Sequence, residues 1–293
     1  LADGEAPLAA VRPGSDRWRL AELGDELEVV ELDLRDADAV EALIADRAPQ
    51  RVFHLAAHGA YSSQRDVSRI FETNLIATAT LLDACLSGEV EAFVNSGSSS
   101  EYGLKDHPPR ESEALGPNSA YAVGKAAAAM YCAHRATETE ARIVTLRLYS
   151  AYGPWEDQGR LIPALITAGL DGRLPPLVDP RIARDFVHVD DVVDAYLAAA
   201  DRGRSGLAYN VGTGVQTTLE DVVATACDLL PVDAEPAWGS MPDRSWDTTA
   251  WVADPSLITT DLEWRPHHTF HSGLAATIEW FRDPAHRAHY RLA

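Results

Sequence analysis

The sequence predicts an α/β protein: a doubly wound parallel sheet, followed by a smaller α/β subdomain at the C-terminal end. Three observations carry this. Short apolar runs alternate with segments whose apolar spacing is closer to roughly 3.6 than to 2, the order of βαβ units. The runs are uniformly apolar, as strands are when both sheet faces are covered. After residue 150 glycine and proline crowd together at Gly153, Pro154, Pro163, Gly169, Gly172, Pro175, Pro176 and Pro180, which marks a change of architecture.

The elements follow in order. Strands are predicted at 7–11, 29–32, 51–56, 92–95 and 143–148, with helices at 37–48, 68–86 and 120–136 between them. Shorter elements come next: a run at 185–189, a helix near 190–200, a strand at 207–211, and helices at 218–230 and 272–281. The chain thus returns in part to the first sheet, and a ligand cleft is expected between its two parts. The start is unusual. Leu1-Ala-Asp-Gly4 reads as a helix end with a glycine cap, leading straight into a strand. A doubly wound sheet begins with a strand, a glycine-rich turn and a helix. Roughly 20–30 residues of that kind are therefore expected to precede residue 1.

Composition narrows the function. The 293 residues carry 45 acidic against 25 basic side chains, a formal charge of −20, so the general field repels polyanions and a nucleic-acid binder is excluded. No run of apolar residues is long enough for a membrane span. Cys85, Cys132 and Cys227 are far apart and form no CxxC, which disfavours disulfides and structural zinc and makes a reducing cytoplasm the default. Only two of the basic residues are lysines, Lys105 and Lys125, so each is worth asking about.

Lys125 closes the motif Tyr121-Ala-Val-Gly-Lys125 on a predicted helix. Residues four apart share a helix face, so the phenol and the ammonium sit side by side, and a nearby cation favours phenolate. Upstream, Ala92-Phe-Val-Asn-Ser-Gly-Ser-Ser-Ser-Glu-Tyr-Gly103 is a strand ending in hydroxyls and a turn, and ligands of parallel sheets bind at such carboxyl ends. Ser98 thereby joins Tyr121 and Lys125 as a candidate triad.

With these residues in hand, the chain resembles the extended short-chain dehydrogenase/reductase family, in particular its nucleotide-sugar epimerases, dehydratases and reductases, from end to end. Tyr121, Lys125 and Ser98 match the family's catalytic residues. Asp33-Leu-Arg-Asp36 resembles its adenine-contacting segment, His54-Leu-Ala-Ala57 the strand end lining the cofactor, and Asn74 the helix Asn beneath the active site. Arg147-Leu-Tyr-Ser-Ala-Tyr-Gly-Pro154 resembles the strand and loop beside the nicotinamide. Arg184-Asp-Phe-Val-His-Val-Asp-Asp191 resembles the RDFVxVxD signature, and Arg244-Ser-Trp-Asp247 with Ala253-Asp254 the C-terminal Arg-x-x-Asp…Ala-Asp.

The resemblance implies a Rossmann-type dinucleotide-binding domain at 1–150 with 182–214 and a substrate-binding subdomain at 151–181 with 215–293. It implies cofactor contacts from Arg12, Asp33, Leu34, Leu55, Ala56, Ala57, Asn74, Ser96, Tyr121, Lys125 and Tyr149, and substrate contacts from Ser98, Ser99, Arg160, Arg184 and Arg244. The implied chemistry is hydride transfer at a sugar carbon, C4 foremost, of a nucleotide-diphosphate sugar: Tyr121 moves the proton on the sugar oxygen, Lys125 lowers its pKa and holds the nicotinamide ribose, and Ser98 steadies the oxygen. Arg184 and Arg244 are expected to grip the diphosphate. A homodimer through the helices at 68–86 and 120–136 is expected as well.

Departures from the family pattern sharpen the expectation. NAD-preferring members place an acid after the early strand, whereas this strand ends Val11-Arg12-Pro-Gly14, and an arginine there suits the 2′-phosphate of NADP. The sugar 4,6-dehydratases carry an Asp-Glu pair directly after the catalytic hydroxyl residue; this chain has Ser99-Ser100 and only then Glu101, one position off. Ser150 stands where many epimerases have Asn. A 4-ketoreductase using NADP leads, ahead of a 4-epimerase with tightly held NAD, a dehydratase, and a non-catalytic nucleotide-binding regulator. His188 reads as a packing histidine, and His267-His268 have no third ligand at metal spacing, so no metal is expected.

Overall fold

The computed structural model describes residues 7–61, 63–241 and 248–290. Contacts divide the chain into two compact units, Leu1–Ser96 with Ser119–Thr145 and Ser205–Leu207, and Gly97–Asn118 with Leu146–Arg204 and Ala208–Ala293.

The first unit opens with the parallel pair β1 (Leu8–Val11) and β2 (Glu28–Glu31), separated by a 3-10 stretch at Trp18–Glu26 that kinks at Gly24. Helix α1 (Ala37–Arg47) follows, capped by the Asp36 carboxylate on the Ala39 N–H and closed by Ala48 in the left-handed region. Strand β3 (Arg51–His54) pairs in parallel with β4 (Ala92–Ser98), in the register Arg51 to Ala92 through His54 to Asn95. Next in that sheet come β5 (Arg142–Leu148) and β9 (Ala208–Val211), giving the order β3-β4-β5-β9. Among the described residues no ladder joins β1 to β3.

The expected helix at 68–86 is three pieces: α2 (Val67–Phe71), a π turn at Glu72–Ile76, and α3 (Ala77–Leu86). Its apolar periodicity hides the extra residue of the π turn, a feature that tends to mark functional positions. Helix α4 (Ala120–Arg135) starts at Ser119, whose hydroxyl accepts the Ala122 N–H. Val40, Leu82, Cys85, Phe93, Cys132 and Ile143 are buried in one core that joins these helices to the strands. Cys85 is a free thiol pushed up to about 12 by that burial, so it is an inert apolar side chain.

The second unit holds β6 (Ser150–Tyr152), α5 (Leu161–Leu170), β7 (Ala183–Arg184), β8 (Phe186–His188), α6 (Val189–Arg202), β10 (Thr217–Thr218), α7 (Leu219–Leu229), α8 (Ser256–Leu262), α9 (Phe270–Arg282) and α10 (Pro284–Ala288). β6 pairs β8 in parallel, and β7 pairs β10 antiparallel. α5 escapes the sequence reading because Pro163 and Gly169 read as breakers. Pro163 sits in the first helical turn, where no backbone N–H is needed, and Gly169 leaves room for Leu230, whose Cδ1 would lie 2.5 Å from a Cβ there. α8 follows a proline and is only seven residues long, too short for a periodic signal. Among the described residues no helix is long and apolar enough to cross a membrane.

Candidate active site

The first unit presents its candidates at the carboxyl ends of β1, β2, β3 and β4 and on α4. Tyr121 and Lys125 lie four apart in the first two turns of α4, as their spacing requires. Lys125 is 2% exposed, and its Nζ donates to the Ser96 carbonyl at 2.9 Å. Ser96 Oγ in turn donates to the His54 carbonyl at 2.7 Å. The His54 ring is buried and its Nε2 meets Thr78 Oγ1 at 2.8 Å. Burial, with a smaller push from the Lys125 ammonium, lowers its pKa to about 3, so His54 is neutral and leaves Lys125 as the charge of this group.

Asn74 occupies the π turn. Its Oδ1 accepts the His58 N–H and its Nδ2 donates to the His58 carbonyl, both at 2.8 Å, so one side chain fixes the loop after β3. Gly124 of α4 sits directly above it, since a Cβ there would come 3.3 Å from the Asn74 Cβ. Gly59, at φ +94°, is held between Ile70 and Tyr121; a Cβ would strike Ile70 Cγ1 at 2.8 Å. This packing sets where Tyr121 stands. Leu55 is exposed at the end of β3, with Ala56 half-buried and Ala57 exposed beside it.

Three arginines act on the charge of His58. It is held below the usual imidazole range first by burial, then by Arg69, Arg12 and Arg35. Arg12 is exposed at the end of β1. Arg35 grips Asp33 through Nε at 3.0 Å and Nη2 at 2.6 Å, which holds the Asp33 carboxyl down to about 2. Leu34, half-buried, packs on the core. These groups fit a nicotinamide dinucleotide at its ribose and adenosine ends: an ammonium with a phenol four residues away, a carboxylate at a strand end to accept from ribose hydroxyls, and cations for a phosphate. The residues present do not include a glycine-rich turn for the pyrophosphate.

The second unit contains the hydroxyl turn. Ser98 caps the 3-10 turn at Ser99–Tyr102: its Oγ accepts the Ser100 N–H at 3.2 Å and lies 2.8 Å from Ser100 Oγ. Glu101 closes the capping box, its Oε1 accepting the Ser98 N–H at 2.8 Å. Its other oxygen accepts Arg147 Nε at 2.8 Å, and Glu101 is fully buried. Arg147 Nη1 donates to Tyr102 Oη at 2.8 Å, Tyr102 Oη donates to Asn210 Oδ1 at 2.7 Å, and the Asn210 N–H donates to Glu111 Oε1 at 2.8 Å. Gly103, at φ +69°, cannot carry a Cβ, which would fall 1.9 Å from the Gly116 carbonyl oxygen. The turn bearing Ser98 and Ser99 is therefore rigid, and a rigid hydroxyl is what oxyanion stabilisation needs.

Beside that turn a pocket is lined by Ser99, Tyr102, Lys105, Tyr149 and Trp251, among others. Trp251 Nε1 donates to Ser99 Oγ at 3.2 Å, and the Arg184 guanidinium lies 5.8 Å from the Trp251 ring centroid. Nothing in the sequence alone links Trp251 to Ser99, 152 positions away. Asp185 of the same signature is structural. Its two oxygens accept the N–H groups of Thr213, Gly214 and Ala253 and the Thr213 hydroxyl. Tyr149 is buried, and Arg160 is exposed at the start of α5. Arg244 lies outside the described residues. The structure thus gathers Lys125, Ser96 and Asn74 in one unit and Ser98, Ser99 and Arg184 in the other.

A parallel sheet with a Tyr-x-x-x-Lys helix and a capped serine turn defines the extended short-chain dehydrogenase/reductase class. Residues 7–212 match the model of the NAD-dependent epimerase/dehydratase family, and the chain belongs to that family of enzymes. It is similar to dTDP-glucose 4,6-dehydratase of Streptomyces griseus, at 32% identity over 94% of this chain and 80% of that one. Among solved structures it resembles UDP-glucose 4-epimerase of Thermotoga maritima with UDP-glucose, with TM-score 0.88 and 27% identity over 97% and 93% of the two chains. It also resembles UDP-glucose 4-epimerase of Thermus thermophilus with NAD, with TM-score 0.86 and 26% identity over 97% and 93%.

Proposed function

We propose that this chain is an NADP-dependent 4-ketoreductase of a nucleotide-diphosphate sugar. The observation that carries the reading is the state of Glu101. A 4,6-dehydratase needs carboxyl groups free to remove a proton and expel water, and both oxygens of the acid after Ser98 are occupied, one by the Ser98 N–H and one by Arg147. A shift of the loop by one position would have to break a buried ion pair. The dehydratases among the relatives therefore share the fold and the hydride chemistry, and this chain lacks their elimination step.

Hydride exchange with the sugar carbon is the chemistry the nicotinamide supplies when bound. Tyr121 gives its proton to the sugar oxygen as the carbonyl is reduced. Lys125, fixed through Ser96, keeps a positive charge beside that phenol and the nicotinamide ribose. The role of Ser98, held by its own turn, is carried by resemblance alone: a hydroxyl that steadies a substrate oxygen. Arg184 and, by resemblance, Arg160 and Arg244 receive the diphosphate, with Ser99 at the sugar. Leu55, Ala56, Ala57, Asn74, Ser96 and Tyr149 shape the cofactor side. Arg12 supports NADP over NAD, because a 2′-phosphate needs a cation and an arginine, not an acid, directly follows β1.

The assay is oxidation of NADPH by purified protein in the presence of a nucleotide-linked 4-keto-6-deoxy sugar. Steady oxidation with a one-to-one yield of the C4 alcohol supports the reading. Inertness toward keto sugars, together with interconversion of C4 epimers on retained NAD, supports the epimerase alternative that the solved neighbours favour. A homodimer through α2, α3 and α4 is part of the proposal: Val67 and Ile76 on one stretch and Val123 and Met130 on the other are apolar and exposed. So is a cytoplasmic location.

A further inference from the structure

The fold assembles a cluster that the chain does not show in sequence. His188, Asp190 and His268 each offer one ligand atom, and the three atoms lie within 4.8 Å of one another. His188 ends β8 and caps α6, Asp190 sits in the first turn of α6, and His268 lies in the loop just before α9. The sequence puts His268 next to His267 with nothing else at metal spacing; folding brings the other two from about eighty residues upstream.

The hydrogen bonds around the cluster fix the tautomer of each ring. His188 Nδ1 accepts a long hydrogen bond from the Asp190 N–H at 3.4 Å and lies 3.5 Å from Asp190 Oδ2. Its Nε2 faces Thr277 Oγ1 at 3.4 Å, and that hydroxyl already donates to the Gly273 carbonyl, so it accepts the Nε2 proton. His188 Nδ1 therefore carries the lone pair, which here accepts the Asp190 N–H and would exchange that long hydrogen bond for a bond to an ion. On the other ring, His268 Nδ1 lies 3.2 Å from Asp191 Oδ2, so it carries the proton and leaves Nε2 as the lone-pair atom. Asp191 is itself fixed, with its oxygens accepting the N–H groups of His267 and His268. The two rings stand 4.3 Å apart at 36°.

From this we infer a site for a divalent late transition ion of the zinc class, bound by His188, Asp190 and His268, with Thr277 and Asp191 orienting the two imidazoles. Two histidines and a carboxylate are a set that zinc accepts at bonds of about 2.0–2.2 Å, which places tetrahedral ligand atoms about 3.4 Å apart. Asp190 is 70% exposed, so its side chain has room to turn and close that distance. A carboxylate partner behind a metal histidine is the arrangement that raises its basicity. Asp190 and Asp191 together balance a dication and outweigh the partial positive charge at the start of α6. The ion would tie the junction of β8 and α6 to the start of α9. The inference does not depend on the ketoreductase reading.

The test uses the intact chain, stripped with a chelator and titrated with Zn2+ by calorimetry, then with Co2+ by visible absorption. Expected are one saturable Zn2+ per chain, the intense bands of tetrahedral Co2+, and a loss of affinity of about 10–100-fold in His268→Gln and in Asp190→Asn. Asp190 is exposed, so Asp190→Asn keeps the test sound even where His268→Gln folds poorly. Failure to saturate overturns the inference. So does Zn2+ affinity unchanged in Asp190→Asn, which would mean the ion sits on other residues of this acidic chain.

Discussion

Glu101 and Arg147 form an ion pair of 2.8 Å with both side chains buried, 0% and 7% exposed, beneath the turn that carries Ser98. Removing one partner leaves an uncompensated charge inside the protein. Arg147→Met is expected to cost about 3–5 kcal/mol, read from the urea midpoint, and the double variant with Glu101→Gln is expected to recover part of that loss. A loss below about 1 kcal/mol would mean that the pair does not hold the turn.

Tyr121 and Lys125 differ in what their removal does. Tyr121→Phe deletes a proton donor from a half-buried position, so kcat is expected to fall about 10^2–10^4-fold with the melting curve unchanged. Lys125→Met removes a buried ammonium that donates to Ser96, so it is expected to lower kcat and to shift stability as well. Full activity in Tyr121→Phe would remove the assigned proton path.

His54 sets an acid limit. Its folded pKa is about 3 against an unfolded value of about 6.5, so the unfolded chain binds the extra proton between those values. Stability from this group is complete above about pH 6.5 and declines as pH falls toward 3, by at most about 1.4 kcal/mol per pH unit. His54→Gln is expected to flatten the fall of the urea midpoint between about pH 6 and 4. An unchanged slope would show that His54 protonates freely in the folded chain.

Glu156 carries the opposite sign. Its Oε2 is shielded and has no hydrogen-bond partner among the described residues, and burial raises the carboxyl to about 8. A folded value above the unfolded one means that the folded state holds the proton longer, so stability declines as pH rises from about 4.5 through 8. Glu156→Gln is expected to remove that decline, measured as melting temperature at pH values from about 4.5 to about 8. A decline of the same size in the variant would contradict the assignment.

Arg12 tests cofactor choice. Arg12→Ala is expected to raise the KM for NADPH about tenfold or more, equivalent to about 1.4 kcal/mol, while leaving the KM for NADH nearly unchanged. Equal changes for both cofactors would mean that Arg12 does not meet the 2′-phosphate.

What the chain made legible was local. Tyr121 and Lys125 are four apart on a helix, and strands such as Arg51–His54 and Arg142–Leu148 announce themselves by short stretches rich in apolar residues. The π turn around Asn74 was hidden because one extra residue barely disturbs a helical period, yet that turn aims the Asn74 amide at His58. The network that fixes Ser98 was also hidden. Glu101 meets Arg147 across 46 positions and Tyr102 meets Asn210 across 108, and no spacing rule reaches that far. The mismatch of one position at Glu101 was visible in sequence; its physical meaning, a carboxylate committed to an ion pair, required the fold.

The most direct test of the central claim follows the hydride itself. The protein is supplied with NADPH bearing deuterium at the transferable position and with a nucleotide-linked 4-keto sugar, and the product is read by mass spectrometry. The account predicts one deuterium on the sugar C4 for each NADP formed. A product without deuterium, formed with the NADPH unconsumed, would contradict it and leave an enzyme that recycles a cofactor of its own.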